Sequence, residues 1–290
     1  MKEALFRVTF PVDDELRDAL SECLLEHGAE GLVSEPGALV VYGDESRASA
    51  LEAAFALFQE MAALAVPEFV AESPKREPVD ADYHRPWLER LRPVQLTERI
   101  VLCPRGKESL VKGADKVLFF EPQPSFGSGE HETTRMAARA IERLVLSREE
   151  RARREVRLLD VGTGTGVLAL VALMSGAGGA VGTDIDPISV AAARANAAAN
   201  GLLDRLEVLL GTFPDAGEKF SLVVANIDRK TLISEAGSIG GQVASGGELL
   251  LTGFLLEDVA DVEAPYLAQG FVRQELEEGV EFARLSLRRP

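Results

Sequence analysis

Apolar positions follow two successive regimes along the chain. Residues 5–10 alternate apolar and polar side chains, as a half-buried strand does. Asp13 and Asp14 then supply a helix cap, and Leu16, Leu20 and Leu24 recur at helical spacing as far as Gly28. Residues 31–33 and 38–42 read as a hairpin around Pro36-Gly37. Leu51, Phe55, Phe58 and Ala62 mark a second helix, and residues 68–71 a last strand. The order β-α-β-β-α-β predicts a small α+β, ferredoxin-like domain over residues 1–75, an architecture that implies no function by itself.

Residues 76–125 carry prolines at 78, 86, 93, 104, 122 and 124 and read as a connector. Within it a short helix is expected around Trp87 and Leu91, with strands at 100–103 and 117–120. From residue 132 helix and strand patterns alternate: helix 132–146, strand 156–160, helix 167–174, strand 180–184 and helix 187–200. Asn200-Gly201 closes the last of these. Strands follow at 206–210, 222–225 and 248–252. Segments 272–276 and 282–287 have no helix between them and read as an antiparallel hairpin at one edge. This spacing predicts a mostly parallel, doubly wound, Rossmann-like sheet, with a catalytic domain over residues 126–290.

Composition narrows the chemistry. With 46% hydrophobic and 27% charged residues, a core needs no disulfide or metal staple. Cys23 and Cys103 are far apart, and the histidines are His27, His84 and His131, so no metal site is expected. The first residues lack the apolar core of a signal peptide, and the apolar stretch 167–181 is too short to span a bilayer. A cytoplasmic monomer with no membrane contact is the expectation.

The net charge is −16, unevenly spread. Residues 1–80 hold 17 acidic and six basic side chains, a charge of −11, against −5 for the remainder. Such a chain is repelled by naked phosphate, which disfavours direct nucleic-acid contact. The acidic first domain either attracts a basic protein or is a solvated face.

The candidate chemistry centres on Asp160-Val161-Gly162-Thr163-Gly164-Thr165-Gly166, between a strand and a helix. Glycines there let the backbone turn sharply and a ligand approach closely. Asp184 lies 22 residues beyond Gly162 at the next strand end, where a carboxylate accepts hydrogen bonds from ribose hydroxyls. A nicotinamide fingerprint would place its third glycine at position 167, which is Val167. Asp160 would oppose a pyrophosphate but suits the ammonium of a methionine moiety. The loop has no Lys or Arg, as fits S-adenosylmethionine, which carries a sulfonium and no phosphate.

Asn226 ends the strand at 222–225 and should face the reacting methyl; the plainer alternative is a strand-end turn former. The run Asn226-Ile227-Asp228-Arg229 lacks the N-P-P-Y pattern of enzymes that methylate planar nitrogens. A third feature is the loop Phe126-Gly127-Ser128-Gly129-Glu130-His131-Glu132-Thr133-Thr134. It is either a helix start capped by Ser128 or Thr133, or a loop whose Phe126 ring closes over a cofactor. His131 either orients this loop or hydrogen-bonds an acceptor, and the plainer role is the expectation.

Taken in order, F-G-S-G-E-H-E-T-T, D-V-G-T-G-T-G-V-L-A, G-T-D-I-D-P, A-N-A-A-A-N-G and V-V-A-N-I resemble the bacterial ribosomal protein L11 methyltransferases, the PrmA family. The similarity is strong from about residue 120 onward and fainter upstream. The resemblance implies methylation of lysine ε-amines and an N-terminal α-amine of ribosomal protein L11, held by the N-terminal domain. It implies cofactor contacts at Thr134, Gly162, Asp184 and Asn226, joined on the residue reading by Asp160, Gly164 and Gly166. Asn226 and Phe126 are the expected catalytic residues, orienting the amine and excluding water, with no general base. Ser128 replaces the family's usual threonine, and Asp228-Arg229-Lys230 replaces apolar or small residues, altering the wall nearest the acceptor. Two other readings stay open. One is a lysine methyltransferase of another protein, such as an electron-transfer flavoprotein subunit; the other is a non-catalytic module that binds the cofactor and a partner.

Overall fold

The computed structural model describes residues 5–13, 16–29, 32–66, 72–79, 91–121, 131–214 and 217–290. The chain divides into two compact units, Met1–Arg90 and Leu91–Pro290.

The first unit runs β1 (Leu5–Pro11), α1 (Arg17–Glu26), β2 (Val33–Glu35), β3 (Ala38–Asp44), α2 (Glu45–Ala65) and β4 (Lys75–Val79). Its antiparallel sheet has the order β2-β3-β1-β4, the ferredoxin-like arrangement expected from the pattern. Val8 and Phe10 of β1 and Leu39 and Val41 of β3 alternate inward against Leu20, Leu24, Leu51 and Phe55 of the helices. Gly37 supplies the positive φ of the β2–β3 turn.

Two details depart from the sequence reading. Asp13 does not cap α1, which begins after Leu16 with no side-chain cap, whereas Asp44 caps α2 by accepting the Arg47 N–H at 2.8 Å. The strand expected at 68–71 lies outside the described residues. The one that completes the sheet is β4, from the segment read as a connector. Pro78 is tolerated because β4 is an edge strand, where a missing N–H breaks no interior ladder.

In the second unit β5 (Val94–Gln95), β6 (Ile100–Pro104) and β7 (Lys116–Phe120) form a three-stranded sheet. There follow α3 (Glu132–Leu146), α4 (Glu150–Arg153), β8 (Arg157–Val161), α5 (Val167–Ser175), β9 (Gly179–Asp184), α6 (Pro187–Ala199) and β10 (Leu206–Leu210). The chain continues through β11 (Phe220–Asn226), α7 (Arg229–Ser234), α8 (Ala236–Gln242), β12 (Val243–Leu255), α9 (Val259–Leu267), β13 (Val272–Glu278) and β14 (Phe282–Arg288).

The seven-stranded sheet has the order β10-β9-β8-β11-β12-β14-β13. The first five strands are parallel; β14 and β13 form the antiparallel edge hairpin. Both faces are covered, which is why the inner strands carry mostly apolar runs. Leu158, Val224 and Leu250 face α3, α5 and α6, while Leu159, Val223 and Leu251 face α7, α8 and α9. Leu96, Ile100, Leu102, Leu118 and Phe120 join the first of these cores, so residues 94–120 belong to the second unit instead of tethering it. The helix expected around Trp87 falls outside the described residues, and Leu91 is in irregular backbone.

Candidate functional site

Strands β8 and β11 lie side by side, but their connections leave in opposite directions, β8 toward β9 and β11 toward β12. A crevice therefore opens beyond their carboxyl ends, where ligands of such sheets bind. The glycine loop leaves β8 on one side of it, and Asn226 ends β11 on the other.

The three glycines take positive φ, +68° at Gly162, +53° at Gly164 and +80° at Gly166, but their surroundings differ. A Cβ on Gly162 would fall 2.5 Å from Ile227 Cγ2, so this glycine brings the two strand ends together. On Gly166 it would meet Ala193 at 3.1 Å, which lets α6 pack close. On Gly164 it would meet nothing within 4 Å, so this glycine borders open space.

Asp184, half-buried at the end of β9, accepts the Gly164 N–H at 2.8 Å on Oδ2 and the Asp186 N–H at 3.0 Å on Oδ1. Each oxygen keeps a lone pair, so the carboxylate is aimed by the loop and still able to take two hydroxyl donors. Asp160 is placed differently. It is 1% exposed, and its Oδ2 accepts the Thr163 hydroxyl at 2.7 Å and the Ala169 N–H at 3.2 Å. The structure thus shows a strut behind the loop, tying it to the first turn of α5. Burial, seconded by the charge of Asp184, pushes the Asp160 carboxyl up to about 7 against the pull of those two hydrogen bonds.

Asn226 is half-buried, paired in register with Thr252 of β12. Beyond it, Asp228 caps α7 by accepting the Thr231 N–H at 3.0 Å and hydroxyl at 2.7 Å. Arg229 bridges to Asp258 at 2.9 Å and Asp261 at 2.5 Å. These departures from the family pattern start a helix and pin it to α9. Thr134 lies half-buried in the first turn of α3, while Phe126 lies outside the described residues. The cap of α3 is His131, whose Nδ1 accepts the Thr133 N–H, in place of the expected Ser128 or Thr133.

Three contributors were not legible beforehand. The Asn196 side chain, 1% exposed, donates to the Thr165 carbonyl at 2.9 Å and accepts the Glu121 N–H at 2.9 Å, joining the glycine loop to the end of β7. Asn200, one turn on, both accepts from and donates to the Phe119 backbone. Two asparagines four apart in an alanine-rich helix are poor helix formers on one face, a signal of outside partners. Gly253 is the third: a Cβ there would run into the Ile227 backbone, so β12 bulges past the peptide that presents Asn226. A lone glycine in a strand pattern marks such a crossing.

The donor set fits S-adenosylmethionine: a loop free of cationic side chains, open space beside Gly164, spare carboxylate lone pairs and a buried acid behind the loop. Fold and site define a Rossmann-like, S-adenosylmethionine-dependent methyltransferase. The model of the ribosomal protein L11 methyltransferase (PrmA) family matches residues 4–290. A ribosomal protein L11 methyltransferase of Deinococcus radiodurans is 34% identical over 290 residues, covering 96% of this chain and 97% of the relative. That of Geobacter sulfurreducens is 37% identical over 199 residues, 68% of this chain and 61% of the relative. The crystal structure of a ribosomal protein L11 methylase from Lactobacillus delbrueckii subsp. bulgaricus superposes with a TM-score of 0.59 at 25% identity, covering 69% of this chain and all of that one. The chain belongs to the ribosomal protein L11 methyltransferase family.

Proposed function

We propose that this chain methylates amino groups of ribosomal protein L11, lysine ε-amines and an N-terminal α-amine, in the cytoplasm. The observation that carries the reading is the match over residues 4–290, which takes in both units, on a chain whose strand ends present the glycine loop, Asp184 and Asn226. When bound, S-adenosylmethionine supplies an electrophilic methyl on a sulfonium. Asp184 accepts the ribose hydroxyls on its two remaining lone pairs, with Thr134 and the loop backbone lining the same cofactor. The Asn226 side-chain carbonyl accepts from the acceptor amine and aims its lone pair at the crevice, and Phe126 helps to exclude water. A lysine amine is protonated at neutral pH, its reference pKa being about 10.4, and leaving water for a low-dielectric site lowers that value. Proton loss to solvent on entry then suffices, and alignment does most of the work.

The first unit is the substrate-recognition domain in this reading. Its charge of −11 over residues 1–80 complements a basic protein and speeds encounter. No helix among the described residues is long and apolar enough to cross a membrane. The test is intact-mass measurement of purified L11 after incubation with enzyme and cofactor. The expected result is a ladder of methyl additions. An unmodified L11, with S-adenosylmethionine bound to the enzyme, would redirect the search to another protein substrate.

A further inference from the structure

The turn between β13 and β14 is built around a side chain from the far end of the catalytic unit. Glu132, the first residue of α3, accepts the N–H of Val280 at 2.5 Å on Oε1, and those of Glu281 at 3.3 Å and Phe282 at 3.4 Å on Oε2. Three consecutive amides thus converge on one carboxylate. Gly279 makes room for it: a Cβ there would run into the Glu132 carboxyl group, yet Gly279 is not among the positive-φ glycines. It is glycine because of its neighbour and not because of its backbone. Beside this contact the His131 ring meets Phe282 edge-on, centroids 4.7 Å apart.

The location matters. Leu255 of β12 is paired with Phe282 and Thr252 with Arg284, while Asn226 of β11 is paired with Thr252. The turn therefore stands beyond the carboxyl end of the sheet, the end that carries Asn226 and the glycine loop, three residues further along β12 than the level of Asn226. Further along α3, Arg139 pairs with Glu277 at 3.0 Å and Arg143 with Glu275, which also fasten the helix to β13 but away from that end.

We propose that Glu132 is a positioning residue for methyl transfer: seated in the amides of the β13–β14 turn, it fixes the first turn of α3, and with it Thr134, at the mouth of the crevice. The proposal rests on the functional reading above, in which Thr134 lines the cofactor. Glu132→Gln and Gly279→Ala attack the contact from its two sides. The first replaces an acceptor oxygen with a donor that opposes the amides, and the second fills the space the carboxylate occupies. Arg139→Gln loosens the same helix from the same hairpin without touching the turn.

The full chain and each variant are compared by calorimetric titration with S-adenosylmethionine, by amide hydrogen exchange at Val280–Phe282 and by melting temperature. Glu132→Gln and Gly279→Ala are expected to release those amides and weaken the cofactor about ten-fold. Arg139→Gln should keep the wild-type dissociation constant at a similar melting temperature to theirs. Freed amides with an unchanged dissociation constant would overturn the proposal, and so would equal weakening by Arg139→Gln, which marks a merely structural role. A wild-type chain that binds no S-adenosylmethionine would bring down the functional reading itself, a result separable from both.

Discussion

Replacing Asp160 by asparagine should make the ligand-free protein more stable at pH 8, although it removes an acid from the centre of the site. The carboxyl is 1% exposed and titrates near 7 instead of its ordinary 3.8, burial being the main cause. Between those two values the folded state holds a proton that the unfolded state has released. Stability is therefore full below pH 3.8 and is lost as pH rises through about 7. At ~1.4 kcal/mol per pH unit, that interval amounts to roughly 4 kcal/mol at most. Asparagine keeps the shape and an oxygen for the Thr163 hydroxyl and the Ala169 N–H, without a charge to bury. The assay is the urea midpoint of wild type and Asp160→Asn from pH 5 to 8, since other titrating groups cancel in the difference. The two should diverge with rising pH, the variant on the stable side. Parallel curves would refute the argument. A bound cation favours the ionised acid, so wild-type affinity for S-adenosylmethionine should also rise over this range while that of the variant stays flat.

Asp184→Ala is expected to weaken S-adenosylmethionine by roughly 1.5–3 kcal/mol, about ten- to a hundred-fold, through lost charge-assisted hydrogen bonds; an unchanged calorimetric dissociation constant would remove it from the site. Asn226→Ala should cut kcat by on the order of ten-fold at a nearly unchanged melting temperature, whereas matched losses of rate and stability would mark it as a strand-end residue only. A chain starting at Leu91, where the second compact unit begins, should bind cofactor and methylate a short lysine peptide yet lose activity on folded L11. Full, salt-sensitive activity on L11 without the first unit would reduce its acidity to solvation.

Legibility in the sequence followed the range of the forces involved. Strands β8, β9 and β11 and helix α3 were readable to within a residue or two, because burial on both faces writes continuous apolar runs and amphipathic helices have a period. Strand β12, by contrast, runs well past the expected 248–252 at both ends. The glycine loop and Asp184 were equally plain, being local geometry. Helix α8 was not: Ala-Gly-Ser-Ile-Gly-Gly-Gln has no helical propensity to speak of and is held by Ile239 packing into the core. Helix α9 carries an internal Pro265. Strand β4 is Lys-Arg-Glu-Pro-Val, polar and proline-bearing, and becomes a strand only because β1 offers it an edge. Asp160 was legible as an acid beside the loop, but its hydrogen bonds to Thr163 and Ala169, which turn it inward, depend on where α5 starts.

The seat of Glu132 also has a temporal meaning. Its partner Val280 lies 148 residues further along the chain, and Glu277 lies 138 beyond Arg139. At roughly 5–20 residues per second, synthesis separates helix from turn by about seven to thirty seconds, and loops that long close late in folding. For the last part of that interval the nascent enzyme already owns its glycine loop, Asp184 and Asn226, since Asn226 precedes Val280 in the chain, yet α3 has nowhere to dock its first turn. The β13–β14 hairpin is thus the keystone of the first turn of α3, and the site comes into being only once the chain has been made as far as Phe282.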